Sequence, residues 1–416
     1  MKRSSWTVSL ILFSLILISS CSSNEDSISG NWRVYLESSG GELPFFIKIE
    51  DRSDSGLKAW VINGDESLPF SDVERSGNNI KFTFDHYDSY LEGVIDPSGK
   101  NISGTWSRRA MRDSRTEMNF YATLGEENRF KPVDPDEGGS PTISDISGEW
   151  KVQFGDESEE SKSIGIFEQN GKNVAGTFLT VTGDYRFLDG TYENGILRLS
   201  CFDGAHAFLF KAELDENGIM KGDFWSRNSH VSEWTAVKGE SQMPDAYQLT
   251  KLTNDENSFS FNFPDIDGNM VSDKDPRFNN KPMIVYIFGS WCPNCNDEAE
   301  FLVELYRRYH DKGLEIIGLA NEFSGEFDKD AEIVRTFSNK YGIEWPMLIV
   351  GIADKRKTQE ALKDLDRVLA YPTTIFINKN GKVEKIHTAF EGPGTGKYHE
   401  KLKSEFIEII EDMLSN

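Results

Sequence analysis

The stretch Trp291-Cys292-Pro293-Asn294-Cys295 places two cysteines three positions apart, directly after the apolar run Met283-Ile284-Val285-Tyr286-Ile287-Phe288. Pro282 and Gly289 bound that run, and Asn296 to His310 continues with helical periodicity. A buried strand, a short turn and Cys-x-x-Cys at a helix start form the arrangement that thiol–disulfide exchange requires. The free N–H groups and the positive end of the helix dipole favour a thiolate on the first cysteine. The second cysteine, one turn on, reaches back to resolve a mixed disulfide. Along the same helix Leu302, Leu305 and Tyr309 form an apolar stripe counted from Glu298, with Cys295 on the same face. Glu298 is therefore expected on the core-facing side beneath both cysteines, where desolvation raises a carboxyl pKa. A carboxylate that reaches the rim and solvates is the alternative.

The 416 residues allow about two to four domains at roughly 150 residues each. A formal net charge of −24, spread along the whole chain, argues against nucleic acid as a partner. The 28 phenylalanines supply apolar mass for several cores. Four cysteines, Cys21, Cys201, Cys292 and Cys295, are too few for a disulfide scaffold. Cys201 lies in a strand-like segment and reads as a small buried hydrophobe. No histidine has metal-ligand spacing to a second ligand, so neither a metal nor a cofactor is expected. Without a second Cys/His pair, the cysteine doublet is not half of a zinc site.

At the N-terminus Lys2 and Arg3 precede an apolar run from Val8 to Ile18, then Ser19-Ser20-Cys21. At about 1.5 Å per residue such a run is too short to cross a hydrocarbon core of roughly 30 Å. Residues 1–20 are read as a signal peptide.

Further on the chain repeats itself. Ile28-Ser29-Gly30-Asn31-Trp32-Arg33-Val34 returns as Ile146-Ser147-Gly148-Glu149-Trp150-Lys151-Val152, an offset of 150 − 32 = 118. Gly104-Thr105-Trp106-Ser107-Arg108 matches Asp223-Phe224-Trp225-Ser226-Arg227 at 225 − 106 = 119. His86 and His206 fall near equivalent places, as repeat ancestry would have it. Period-2 alternation and turn signals such as Asn63-Gly64, Asn170-Gly171 and Asn194-Gly195 predict about eight antiparallel strands per copy. Each copy is expected to be a small barrel or sandwich, its interior filled by its own side chains or, as the alternative, holding one small apolar ligand; the number of aromatics to be buried favours the filled or partner-binding version. The copies span 27–130 and 145–240, with polar linkers at 131–144 and 241–256.

From 257 to 416 strand and helix patterns alternate, the α/β signature. Tyr371-Pro372-Thr373-Thr374 leads into the strand Ile375-Phe376-Ile377, and Asn380-Gly381 makes a hairpin turn. The order of Phe261-x-Phe263-Pro264-Asp265-x-Asp267-Gly268, Trp291-Cys292-x-x-Cys295 and Pro372-Thr373-Thr374 resembles the TlpA/ResA-like branch of the thioredoxin fold. That branch comprises exported, tethered thiol–disulfide oxidoreductases. The resemblance implies Cys292 as the attacking nucleophile, Cys295 as the resolving thiol and Pro372 as the cis-proline facing them. It implies a proton-moving role for Glu298, and substrate contacts from Trp291, Pro293, Asn294, Tyr371 and Thr373, with Tyr371 offering its backbone.

Three departures from that family stand out. Tyr286 replaces the acidic residue that thioredoxin carries before the first cysteine, and Glu300 replaces the usual helix proline. Between the cysteines stands Pro293-Asn294, where many members place proline second, so the resemblance does not carry the direction of electron flow. The N-terminus resembles a bacterial lipoprotein signal, which implies lipidation of Cys21. Asn24-Glu25-Asp26 resembles the surface-export tag of some Bacteroidetes-type lipoproteins, and the Gly-x-Trp openings resemble lipocalin-like modules.

The reading is a lipid-anchored, envelope thiol–disulfide oxidoreductase of the outer membrane. Its partners would be cysteine-containing exported proteins, a thiol electron donor or acceptor, and the membrane. The alternative is a surface binding lipoprotein in which the β repeats carry function and the redox domain is auxiliary.

Overall fold

A computed structural model describes residues 27–52, 56–134, 143–155 and 158–415. Residues 1–20, read above as a signal peptide, Cys21, read as the lipidation site, and positions 135–142 of the first linker lie outside them.

Each repeat contributes nine strands among the described residues rather than eight, because short strands form beside the tight turns. In the first repeat Gly30–Ser38 pairs with Gly41–Arg52 on one side and with the last strand, Arg115–Leu124, on the other. The meander thus curls until its ends meet. It stays open between Glu66–Pro69 and Asp72–Ser76, which form the two edges of the sheet.

The second repeat closes completely. Lys162–Asn170 pairs with both Gly148–Phe154 and Asn173–Thr180, which completes an eight-stranded antiparallel barrel. The two-residue strand Gly183–Asp184 hangs from the end of Asn173–Thr180. Phe178, Phe210, Phe224 and Trp234 fill this barrel, with Phe210 and Phe224 stacked at 4.4 Å. The lumen is therefore a core and not a ligand cavity.

The duplication is visible in hydrogen bonds. Trp32 Nε1 donates to the Ile28 carbonyl at 2.9 Å, and Trp150 Nε1 donates to the Ile146 carbonyl at 2.8 Å. The second sequence match is, however, one residue out of register. Gly104 and Gly222 are the structural counterparts, offset 118. A Cβ on either would lie 2.0 Å from a neighbouring strand's carbonyl oxygen, that of Glu92 or of Lys211. Trp106 accordingly aligns with Phe224, and both point inward. Trp225 belongs to the opposite face, where it covers Gly40 of the first repeat. Identity of two tryptophans misled the alignment, because a one-residue slip exchanges the faces of a strand.

The repeats do not stand apart. Phe202 of the second stacks on Phe45 at 4.3 Å and meets Trp106 edge-on at 5.3 Å, within the first repeat's core. Arg129, buried between them, donates to Ser200 Oγ at 2.9 Å and Asn63 Oδ1 at 3.0 Å.

The C-terminal region holds a five-stranded sheet in the spatial order 347–352, 315–322, 283–288, 373–377, 383–388. Its first three strands are parallel, and the last two are added antiparallel. Met283–Phe288 is central and wholly buried, which explains its unbroken apolar sequence. Helices α1 (Pro293–Tyr309), α2 (Phe327–Tyr341), α3 (Lys355–Ala361) and α4 (Lys397–Ser415) pack around it. The sequence did not announce α3, a seven-residue helix capped by Asp354, which accepts the Lys357 N–H at 3.1 Å. The polar stretch 241–256 does not run free over its second half. Leu249 is buried, Thr388 Oγ1 donates to Thr250 Oγ1 at 2.9 Å, and Leu252 bridges to Leu365.

Gly222→Ala should lower stability by about 2–4 kcal/mol or prevent folding, since the clash is with backbone that cannot rotate away. Asp223→Ala, the position that the 119 offset would have made equivalent, should cost less than about 1 kcal/mol. Urea unfolding of the two variants checks the register.

Candidate active site

The cysteine turn is built by a strand that ends in small residues. A Cβ at Gly289 would lie 2.2 Å from Trp291 Nε1, so glycine is what lets the tryptophan fold back over the strand end. Trp291 then stacks on Phe323 at 4.7 Å, meets Tyr371 edge-on at 5.6 Å and donates to the Asn321 carbonyl at 2.9 Å. Cys292 is the N-cap of α1 and Pro293 its first residue, where the missing N–H costs nothing.

Side chains that the sequence reading assigned no supporting role hold the turn. Glu322 accepts the Ser290 N–H at 2.8 Å and its hydroxyl at 2.7 Å. Asn296 donates to the Cys292 carbonyl at 2.7 Å and receives the Tyr341 hydroxyl at 2.5 Å. Tyr286, which stands where thioredoxin has an acid, donates its hydroxyl to the Cys295 carbonyl at 2.5 Å. Asn296 lay in plain view four positions after Cys292. Glu322 carried no signal, because its link to Ser290 exists only once two parallel strands align.

Both cysteines are free thiols. Cys292 is 8% exposed and Cys295 fully buried. Their titrations are pushed apart. The Cys292 thiol is lowered by a hydrogen bond from Cys295 against the cost of burial, with help from the Cys295 and Asn294 N–H groups and from Arg108. Burial and the neighbouring Cys292 push Cys295 far up. This is the asymmetry that a nucleophile and a resolving thiol need.

The Tyr371–Pro372 peptide is cis, and the Tyr371 carbonyl accepts Cys292 Sγ at 3.4 Å. Thr373 is fully buried with its hydroxyl on the Ala370 carbonyl at 2.9 Å, so it supports this loop from beneath. Glu298 is fully buried under the turn. Thr374 Oγ1 donates to its Oε1 at 2.5 Å, and its Oε2 has no hydrogen-bond partner. Burial raises its pKa to about 8.

The β repeats lie over this face. Arg108 of the first repeat donates to the Trp291 carbonyl at 2.9 Å, and the Arg112 amide donates to the Phe323 carbonyl at 2.9 Å. Asp184 of the second repeat takes up the Asn294 side-chain amide at 3.2 Å and the Gly392 N–H at 2.6 Å. Arg186 pairs with Asp297 of α1 and, at 2.6 Å, with Glu66. His86 and His206 sit in equivalent hairpin loops, each beside its own aspartate, Asp85 or Asp203. No cluster of three or more potential metal ligands occurs among the described residues.

Comparison with known proteins agrees with this architecture. The AhpC/TSA family model matches residues 256–386. The chain is 26% identical over 191 residues to the thiol-disulfide oxidoreductase ResA of Halalkalibacterium halodurans, covering 45% of this chain and 94% of that one. It is 32% identical over 124 residues to ResA of Bacillus anthracis, covering 30% of this chain and 63%, less than two thirds, of that relative. A solved thiol:disulfide interchange protein of Chlorobium tepidum, from the thioredoxin family, superposes on 38% of this chain and 95% of its own at a TM-score of 0.29 and 20% identity. The thioredoxin domain of a Bacteroides vulgatus thiol-disulfide oxidoreductase covers 35% and 96% at a TM-score of 0.27 and 22% identity. The C-terminal region, behind the two β repeats, is thus the part of the chain that matches the AhpC/TSA family model and is similar to the ResA thiol–disulfide oxidoreductases.

Proposed function

We propose that this protein is a lipid-anchored thiol–disulfide oxidoreductase of the cell envelope that exchanges disulfides and dithiols of exported proteins through Cys292 and Cys295. The observation that carries the reading is the opposed titration of the two thiols at the start of α1, facing cis-Pro372. The Cys292 thiolate attacks one sulfur of a substrate disulfide and expels the other as a thiolate. Cys295 then attacks Cys292 Sγ, closes the Cys292–Cys295 disulfide and releases the second substrate thiol. Run backwards, the same steps oxidise a substrate dithiol.

Glu298, one helical turn from Cys295 with a free Oε2, takes the proton that Cys295 must lose before it attacks. A carboxyl that titrates near 8 exchanges protons at neutral pH, where an ordinary glutamate would stay ionised. With Trp291, Pro293, Asn294 and Tyr371 under the repeats, a polypeptide substrate reaches Cys292 only after the repeats move aside. Anchoring rests on the Lys2-to-Cys21 pattern. The filled barrel core gives no support to a ligand held in its lumen.

Cys295→Ser should trap mixed disulfides on Cys292, seen as dithiothreitol-sensitive adducts on non-reducing gels; an empty trap, with no disulfide-reducing activity in the full chain, would sink the enzyme reading. Cys21→Ser should move the protein from the membrane to the soluble fraction.

Glu298 also makes a pH prediction. Its folded pKa lies above the unfolded value of about 4.3, so its contribution is fully present below about pH 4.3 and is lost as pH rises through about 8. Relative to the parent, Glu298→Gln should gain about 1–3 kcal/mol between pH 5 and pH 9, read from urea midpoints.

A further inference from the structure

Arg108 comes from the first β repeat, yet it lies at the cysteine turn. Its side chain is 4% exposed. Nη1 donates to the Ala205 carbonyl at 3.0 Å and Nη2 to the Trp291 carbonyl at 2.9 Å, one residue before Cys292. Nε is buried with no hydrogen-bond partner, and the Phe323 ring covers the guanidinium at 5.6 Å. No carboxylate of the described residues forms an ion pair with it. Asp203, whose charge acts on Arg108, is engaged by His206 at 3.1 Å and Arg186 at 3.7 Å.

A guanidinium keeps its charge in proteins, and a buried cation bonded only to neutral carbonyls is costly unless an anion lies close. Burial and the neighbouring Arg227 lower the Arg108 pKa to about 10, which leaves it cationic at neutral pH. The one reactive group beside it that becomes an anion is Cys292.

We propose that Arg108 is the counter-charge of the Cys292 thiolate, a positioning residue supplied across the domain boundary by the β repeats. This rests on Cys292 being the attacking thiol. It adds that the reactivity of the thioredoxin-fold domain is set by a residue outside that domain. By linkage, the same contact ties docking to redox state. The dithiol form offers Arg108 an anion and holds the repeats down. The disulfide form has no charge at Cys292 and leaves Arg108 with two carbonyls and an Asp203 already shared with His206 and Arg186, so docking weakens.

The groups that face Cys292 are Cys295 and Glu298 of α1, Tyr286 of the strand before it, Tyr371 of the cis-proline loop, Lys355 of α3, and Arg108. Lys355 is a second cation in the field of Cys292; its ammonium lies on the Leu369 carbonyl, and burial lowers its pKa. Around Arg108 stand Tyr87, Asp203 and Arg227. His206 pairs with that aspartate.

The test is the pH profile of Cys292 alkylation by iodoacetamide in the reduced full-length protein, quantified by peptide mass spectrometry. In Arg108→Gln the half-maximal pH should rise by about one unit, and Arg108→Lys should retain most of the parent value. An unchanged profile in Arg108→Gln, or equal shifts in both variants, overturns the assignment. If Cys292 of the parent reacts no faster than Cys295, the nucleophile reading itself has failed, an outcome distinct from both.

A second measurement needs no variant. The Arg112 and Gly392 amides donate across the domain boundary, to the Phe323 carbonyl and to Asp184. Both should exchange hydrogen several-fold faster in the disulfide form than in the dithiol form. Equal rates overturn the coupling.

Discussion

One guanidinium, Arg186, ties the three parts of the chain together. Around it stand Glu66 from the first repeat, Asp203 from its own repeat, and Asp297 from the helix that begins at the cysteines. Asp184 accepts its backbone N–H at 2.7 Å. One buried cation among several carboxylates does not neutralise them all. Burial and the neighbouring acids push Asp297 up to about 8 although Arg186 lies against it. Such a cluster adds little net stability compared with an apolar contact. Its directional bonds fix which face of the repeats meets which face of the C-terminal domain.

That fixed orientation gives the site its character. Elsewhere on the molecule a loop ending in Cys-x-x-Cys would expose its first sulfur. Here the repeats cover it with Arg108, Asp184 and the loops around His86 and His206. Covering desolvates the thiol, which opposes ionisation, while the donors at the start of α1 and the imported Arg108 favour it. Glu298 and Cys295 lie deeper, where desolvation outweighs the hydrogen bonds they receive, so both titrate high. The spread between the two thiols follows first from the hydrogen bond that Cys295 gives Cys292, then from burial and from the donors at the start of α1, with Arg108 adding a smaller contribution.

Much of this was legible from residues alone. The apolar strand, the doublet at a helix start and the buried Glu298 stand close enough in sequence, or in a regular enough pattern, to be read directly; the cis-proline Pro372 came from the family resemblance, because it is remote from the doublet in sequence. The opening of each repeat was also plain, because a glycine and a tryptophan at a fixed spacing carry both a turn and a core anchor. The 119-residue match failed because a strand has two faces and the identity of one side chain does not say which it occupies. Neighbouring strands settled it, through glycines at 104 and 222 that leave no room for a Cβ.

The sequence by itself determined the placing of the doublet at a helix start behind a buried strand and the strand pattern of the repeats, since both depend on neighbours within one turn or one pleat. It could not determine that the repeats close over the doublet. Arg108 and Trp291 are 183 residues apart, and Asp184 and Asn294 are 110 apart, with no periodicity to link them. Their meeting depends on how separately folded cores orient against one another. Only the tertiary structure decides that, through buried charges whose partners come from different domains.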